Sequence, residues 1–247
     1  MFLSKLVVNI GEDPTRYRPA REWLRNLYRV HQRLWMAFPN KPEPATEGSD
    51  YPFFPDRLAH VLSLDTHLLF RIETSRPPMI LVQSATGPNW QRAFWNAEYL
   101  LHREHPPRVK EYELPGFNCD QRLGFRLLAN TTKRLRKDSR NSLCEPVPEK
   151  WIGKRVPVPS EDLEKWLIRR AEPAGFRLEA PIVIQAGYVY FNKSRDAGKG
   201  QRLRSVRYEG VLKVTEPERF RETLNRGIGP AKAFGFGLLS VAPVAQA

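Results

Sequence analysis

An α+β fold built from two tandem βαββαβ units is what this sequence predicts. Three observations predict it. Apolar-alternating runs, helical stripes and turn residues succeed one another as strand, helix, strand, strand, helix, strand in the first half. The same order returns in the second half. The 247 residues, 41% of them hydrophobic, are enough to bury one large core or two small ones.

The first half starts with FLSKLVVN (2–9), where Phe2, Ser4, Leu6 and Val8 share one face of a strand. A polar turn with Gly11 and Pro14 follows. Residues 22–38 carry Leu24, Leu27, Tyr28, Leu34, Trp35 and Phe38 at three- and four-residue steps, which predicts one amphipathic helix ended by Pro39. Residues 40–57, with four prolines and Gly48, read as a long loop. LLFRIET (68–74) and MILVQSA (79–85) read as a hairpin across Arg-Pro-Pro. A weak helix over 91–101 and a strand over 108–114 complete the unit.

In the second half QRLGFRLLAN (121–130) is a strand. SEDLEKWLIRRAEPAG (160–175) is a helix, with Ser160 at the N-cap position and acids in its first turn. Strands over 181–192 and 201–214 flank a Lys/Gly-rich link. A helix starts after Thr215 and stops at Gly227, and GFGLLSVAP is the last strand. Each half is thus a ferredoxin-like (RRM-like) unit. The expected division is an N-terminal domain over 1–117 and a C-terminal domain over 118–247.

Charge is the main deviation in composition. Forty Lys+Arg against 27 Asp+Glu leave +13, a field that attracts polyanions, nucleic acid first and an acidic membrane surface second. No apolar run is long enough for a transmembrane helix, and the N-terminal apolar run is too short and too early for a signal peptide. Cys119 and Cys144 form neither a CxxC pattern nor a disulfide framework, so the expected compartment is the cytoplasm.

The surplus is concentrated in two runs. Residues 121–141 include Lys133, Arg134 and Arg136, and residues 192–213 include Lys193, Arg195, Lys199, Arg202 and Arg204. Alternation puts Arg202 and Arg204 on one face of a strand, where a basic hairpin can lie along a duplex and neutralise phosphates. The same cations would also protect an edge strand from mispairing. Two such clusters in one chain of this charge favour nucleic acid. Between the last helix and the last strand, Gly227, Gly229, Gly235 and Gly237 surround Lys232. Successive N–H groups in such a loop can cradle phosphate. The spacing is neither a Walker loop nor a dinucleotide fingerprint, so no nucleotide cofactor is expected.

Neither His102 and His105, nor His60 and His67, have Cys, Asp or Glu at zinc-ligand spacing, and no acid cluster suits two-metal phosphodiester chemistry. No metal or other cofactor is expected. RNA can still be cut, because it carries its own nucleophile, the 2′-hydroxyl. His31 then stands out, a titratable ring on the packing stripe of its helix. Its resting pKa suits proton transfer, and Arg25, Arg29 and Arg33 are expected to lower it by disfavouring imidazolium. Tyr28 lies one turn earlier. A lone His on such a stripe is more often a hydrogen-bonded core residue, so both readings stand on the residues alone.

Taken together, MFLSKLVVN, YRVHQRLWMAFPN, FRLLANTTKR, YEGVLKV and GIGPAKAFGFGLLSV resemble, in order and over nearly the whole chain, the CasE family, the CRISPR repeat-processing endoribonucleases of subtype I-E. The resemblance implies two ferredoxin-like domains and cutting at the 3′ base of a repeat hairpin RNA. It implies a metal-independent reaction that leaves a 2′,3′-cyclic phosphate and a 5′-hydroxyl. His31 takes the place of the general acid/base and Tyr28 that of its neighbouring tyrosine. The basic hairpin around 193–207 takes the place of the stem-gripping element. Such proteins are monomers when free, hold the cut RNA, and cap one end of the Cascade complex. Two departures stand out: residues 40–66 look like an insertion, and Thr131 replaces a frequent Pro. Lys193 and Lys199 are both candidates to assist the phosphorane, and neither is assigned.

Overall fold

The computed structural model describes residues 1–11, 17–38, 67–140, 145–191 and 201–244. The polar turn, the 40–57 loop, the 40–66 insertion and the candidates Lys193, Arg195 and Lys199 lie wholly or largely outside them.

The elements in chain order are β1 (Phe2–Val7), α1 (Pro19–Arg25), α2 (Leu27–Trp35), β2 (Leu69–Glu73), β3 (Met79–Ser84), α3 (Trp90–Ala93) and β4 (Arg108–Glu111). Then come β5 (Arg122–Ala129), β6 (Thr132–Arg134), β7 (Arg155–Pro157), α4 (Leu163–Ala171), β8 (Phe176–Phe191), β9 (Gln201–Val214), α5 (Pro217–Arg226) and β10 (Leu239–Pro243). One four-stranded sheet has the order β2-β3-β1-β4 and the other β10-β5-β9-β8. Numbered within its own half, each is 4-1-3-2 or its reverse, the ferredoxin-like order, with antiparallel pairing at β1–β3, β1–β4, β5–β9, β5–β10 and β8–β9. The fold is α+β, two tandem ferredoxin-like units.

By internal contacts the chain divides into two compact units. One comprises Met1–Leu24, Arg29–Leu68 and Ile72–Glu113, the other Arg25–Tyr28, Leu69–Arg71 and Leu114–Ala247. In the first, Ser4 and Leu6 of β1 and Val8 just beyond it are buried, on the face expected from alternation, with Ser4 and Leu6 paired to Val82 and Ile80 of β3, and Val30 and Leu34 of α2 are buried too. Trp23 meets Phe94 and Phe38 meets Trp90 edge to face in this core, with Trp23 and Phe94 centroids 5.9 Å apart, and Trp90 and Phe94 are tilted to each other. In the second, Leu123, Phe125 and Leu127 of β5 pack with Trp166, Leu167, Phe176, Tyr208, Phe220 and Leu224. The fully buried Tyr208 donates its hydroxyl to Leu163 O at 2.9 Å, and burial raises its pKa.

Several expectations need correction. The single helix over 22–38 is two helices, parted at Asn26 and begun earlier, by Pro19 at the first helical position. An Asn side chain competes with the helix backbone for hydrogen bonds, while the apolar stripe runs on through the break and hides it. The helix over 91–101 shrinks to the single turn of α3, capped by Asn89 Oδ1 accepting from Arg92 N, and a 3₁₀ turn at Glu98–Leu100. Ser160 caps no helix. It lies in a 3₁₀ turn ahead of α4, and its Oγ accepts from Arg204 Nη2 at 2.9 Å. β8 starts five residues before the expected Pro181, which reads as a boundary; on this edge strand a register shift between Glu179 and Val183 accommodates it. The β6–β7 ribbon was not expected at all.

Candidate RNA-processing site

α2 carries the candidate chemistry. Leu27, Val30 and Leu34 are buried, which fixes the rotation of the helix and leaves His31 and Tyr28 half-buried, one turn apart on it. The His31 ring meets Trp35, one turn on, edge to face at 5.7 Å and 88°. Burial pushes its pKa from 6.5 down to about 4. The imidazole is therefore neutral at physiological pH. The direction agrees with the expectation; the cause does not, since desolvation and not neighbouring arginine does the lowering. Arg25 and Arg29 are exposed, while Arg33 is drawn in far enough to donate to Ala93 O at 3.1 Å.

The described candidate cations of the second unit sit in three places. On the β8–β9 ladder, Arg204 pairs with Tyr188 and Arg202 with Tyr190. Both guanidinium groups converge on the Tyr188 ring, at 4.4 Å for Arg202 and 5.0 Å for Arg204. Arg204 also donates to Tyr188 Oη at 2.7 Å. Its bond to Ser160 completes a three-point hold on one guanidinium. The structure thus brings Arg202 and Arg204 together on one face, as alternation requires, and adds Tyr188, which the sequence reading missed. Its signal was a Tyr two residues from another Tyr on a strand opposite two arginines.

Lys133 and Arg134 stand exposed on β6, and Arg136 in the turn after it, where its N–H donates to Ser139 Oγ. Thr131, in the place of the frequent Pro, is buried, and its carbonyl accepts from Val158 N at 3.1 Å, which begins the β6–β7 ribbon.

The glycine loop differs from the cradle expected. Gly227, Gly235 and Gly237 donate their N–H groups to Thr223, Lys232 and Leu128 carbonyls, so these three are spent inside the fold. Packing accounts for the glycines. Gly227 and Gly237 have φ of +70° and +90°. A Cβ on Gly227 would lie 2.6 Å from Gly237 O, and one on Gly237 2.8 Å from Ile228 O. Gly229 lies against Trp166. Lys232 sits in the 3₁₀ turn between the glycine pairs, half-buried, its pKa lowered by burial and then by Arg226.

Among the described residues no three His, Cys, Asp or Glu side chains gather as a metal-binding group, and no helix is long and apolar enough to cross a membrane.

The CRISPR associated protein family model matches residues 1–243. The CRISPR-associated endoribonuclease Cse3 of Thermus thermophilus is 35% identical over 98% of this chain and all of its own length. The Cascade subunit CasE of Escherichia coli is 29% identical over 99% of this chain and all of its own. A solved structure of Cse3 bound to a 19-nucleotide RNA superposes with a TM-score of 0.68, at 34% identity, over 98% of this chain and all of that one. With the family model matching residues 1–243 and a relative 35% identical over 98% of the sequence, this chain belongs to the CRISPR associated protein family.

Proposed function

We propose that this protein is a metal-independent endoribonuclease that cuts CRISPR precursor RNA at the 3′ base of the repeat hairpin. The observation that carries the reading is His31, a half-buried imidazole kept neutral by its surroundings on a helix that also presents Tyr28. A neutral imidazole accepts the 2′-hydroxyl proton. O2′ then forms its bond to phosphorus, the P–O5′ bond breaks, and O5′ leaves with that electron pair and takes up a proton. The products are a 2′,3′-cyclic phosphate and a 5′-hydroxyl. Tyr28 orients the 2′-hydroxyl or the scissile phosphate, and nearby cations stabilise the doubly charged phosphorane.

The stem is held by charge and shape, because side chains cannot read the deep major groove of A-form RNA. Arg202 and Arg204 supply a pre-oriented pair of cations, and Lys133, Arg134, Arg136 and Lys232 extend the basic surface. Lys193, Arg195 and Lys199 belong to the same hairpin by the family resemblance. In this reading the 1–117 domain carries the catalytic helix and the 118–247 domain grips the RNA. The relatives named as a CRISPR-associated endoribonuclease and as a Cascade subunit support an RNA-processing role; in this reading the cut RNA stays bound within Cascade, in the cytoplasm.

The test is single-turnover cutting of the repeat hairpin in EDTA. Wild type is expected to cut fully and leave a cyclic phosphate end. His31→Ala is expected to lose at least about a hundredfold in rate, the lower end for a lost general acid–base, while hairpin affinity stays within a few fold. Undiminished cutting by the variant would remove His31 from the reaction. A strict need for a divalent ion would remove the mechanism. Binding without cutting by wild type would leave a silent RNA-binding subunit.

A further inference from the structure

The stem grip proposed above uses only the exposed Lys133 and Arg134 of the β6–β7 ribbon and leaves the rest of it without a role. It stands outside the four-stranded sheet of its unit yet is firmly anchored. Trp166 Nε1 donates to Thr132 O at 3.2 Å, and Val158 N to Thr131 O at 3.1 Å. Beyond the ladder, Leu135 N donates to Lys154 O at 2.9 Å and Gly153 N to Leu135 O at 2.8 Å, so the end of the turn that follows Trp151 is tied to the ribbon by two bonds.

Against this ribbon lies an open cavity of about 290 Å³, walled by Val147, Pro148, Val156 and the Trp151 ring and bordered by Lys133 and Arg140. Trp151 remains 44% exposed, a large apolar ring that the fold leaves uncovered. Lys154 Nζ stands 5.0 Å from its centroid. Between residues 133 and 155, eight Lys/Arg stand against three Asp/Glu.

These features select among occupants. A purely apolar partner has no use for so cationic a rim. A small anion has no use for the apolar wall. An RNA duplex keeps its base faces stacked inside, out of reach of an indole. An unpaired nucleotide offers a flat π face and a phosphate together, the pair of groups that aromatic platforms with neighbouring cations take. The volume lies near the lower end, about 300 Å³, of ordinary ligand clefts, enough for a base and too small for a folded element.

We propose that this cavity is a subsite for an unpaired nucleotide flanking the hairpin, its base against Trp151 and its phosphate beside Lys133 and Arg140. The inference rests on the RNA-processing reading above and adds a grip on single strand beside the grip on the stem, with Lys133 at the border of the two.

The test uses the full chain and labelled RNAs in fluorescence anisotropy. One is the blunt repeat hairpin, and two others carry a short unpaired pyrimidine flank at the 5′ or the 3′ side. Wild type is expected to bind one flanked hairpin about tenfold more tightly than the blunt one, the scale of a single stacked base. Trp151→Ala is expected to erase that gain and leave blunt-hairpin affinity within twofold, while Trp151→Phe keeps most of it. Should the alanine variant melt early, Trp151→Leu, which keeps apolar bulk without a π face, reads the same quantity. Loss of the gain supports the subsite and its retention overturns it. A wild type that gains nothing from either flank also overturns it, with the RNA-processing reading intact. A wild type that binds no hairpin at all overturns both.

Discussion

In the unfolded chain His31 titrates near 6.5, and in the fold burial brings it to about 4. Between those values the unfolded chain holds the extra proton, so protons favour unfolding there. Stability is therefore full above pH 6.5, falls as pH drops toward 4, and loses no more from this group below that. The pKa gap converts to about 3 kcal/mol as a ceiling, at about 1.4 kcal/mol per unit. Urea unfolding at the two ends of this range measures the loss, and His31→Gln is expected to remove that part of it. An equal pH dependence in variant and wild type would show that the ring is not desolvated. In the proposed mechanism catalysis would use the same desolvation. A ring kept neutral is free to take a proton, and an RNA phosphate placed beside it would raise its basicity toward working pH.

At the scale of elements, the β8–β9 ladder shows how a strand pair can hold cations ready. Free arginine side chains lose rotamer entropy when they bind a phosphate. Here Tyr188 gathers two guanidinium groups on its ring, and its hydroxyl and Ser160 hold Arg204. Part of that ordering is already complete in the free protein. Two exposed cation–π contacts, each about 0.5–1 kcal/mol, set the size of the effect. Tyr188→Leu is expected to weaken hairpin binding about tenfold while the melting temperature moves little, because Tyr188 is an exposed residue. Equal affinity of the two proteins in anisotropy titrations would mean that the arginines need no such support. The glycine loop makes the opposite point. Its glycines serve close packing and positive φ, and three of their N–H groups answer carbonyls, so in the proposed reading any contribution of the loop to RNA binding would come from Lys232.

Across the whole molecule the charge of +13 is the dominant long-range property. Phosphate neutralisation releases counterions, so hairpin affinity should fall linearly on a log–log plot against salt. A grip built from six to ten such contacts loses about 10³-fold or more between about 50 and 200 mM salt. We expect a slope in that range for wild type, and a slope shallower by about two units for Arg202→Ala/Arg204→Ala. A salt-independent affinity would be incompatible with a grip made of charge. The two units repeat one topology with unlike contents, the first with an imidazole on its helix, the second with arginines on its sheet.

Much of this was legible in the chain itself. The period of two in FLSKLVVN and in QRLGFRLLAN, and the placing of turn residues, determine the strands and with them the doubled βαββαβ order, because a strand must hide one face wherever its neighbours lie. Alternation likewise determines that Arg202 and Arg204 share a side. Other features depend on partners distant in sequence, and tertiary structure alone decided them. The break at Asn26 lies under an unbroken apolar stripe. The pairing of Thr132–Arg134 with Arg155–Pro157 joins segments too short to show a period. Ser160 exchanges a cap for Arg204, 44 residues on. The pKa of His31 follows how much protein closes over the ring, a property of the packed core that no local spacing encodes.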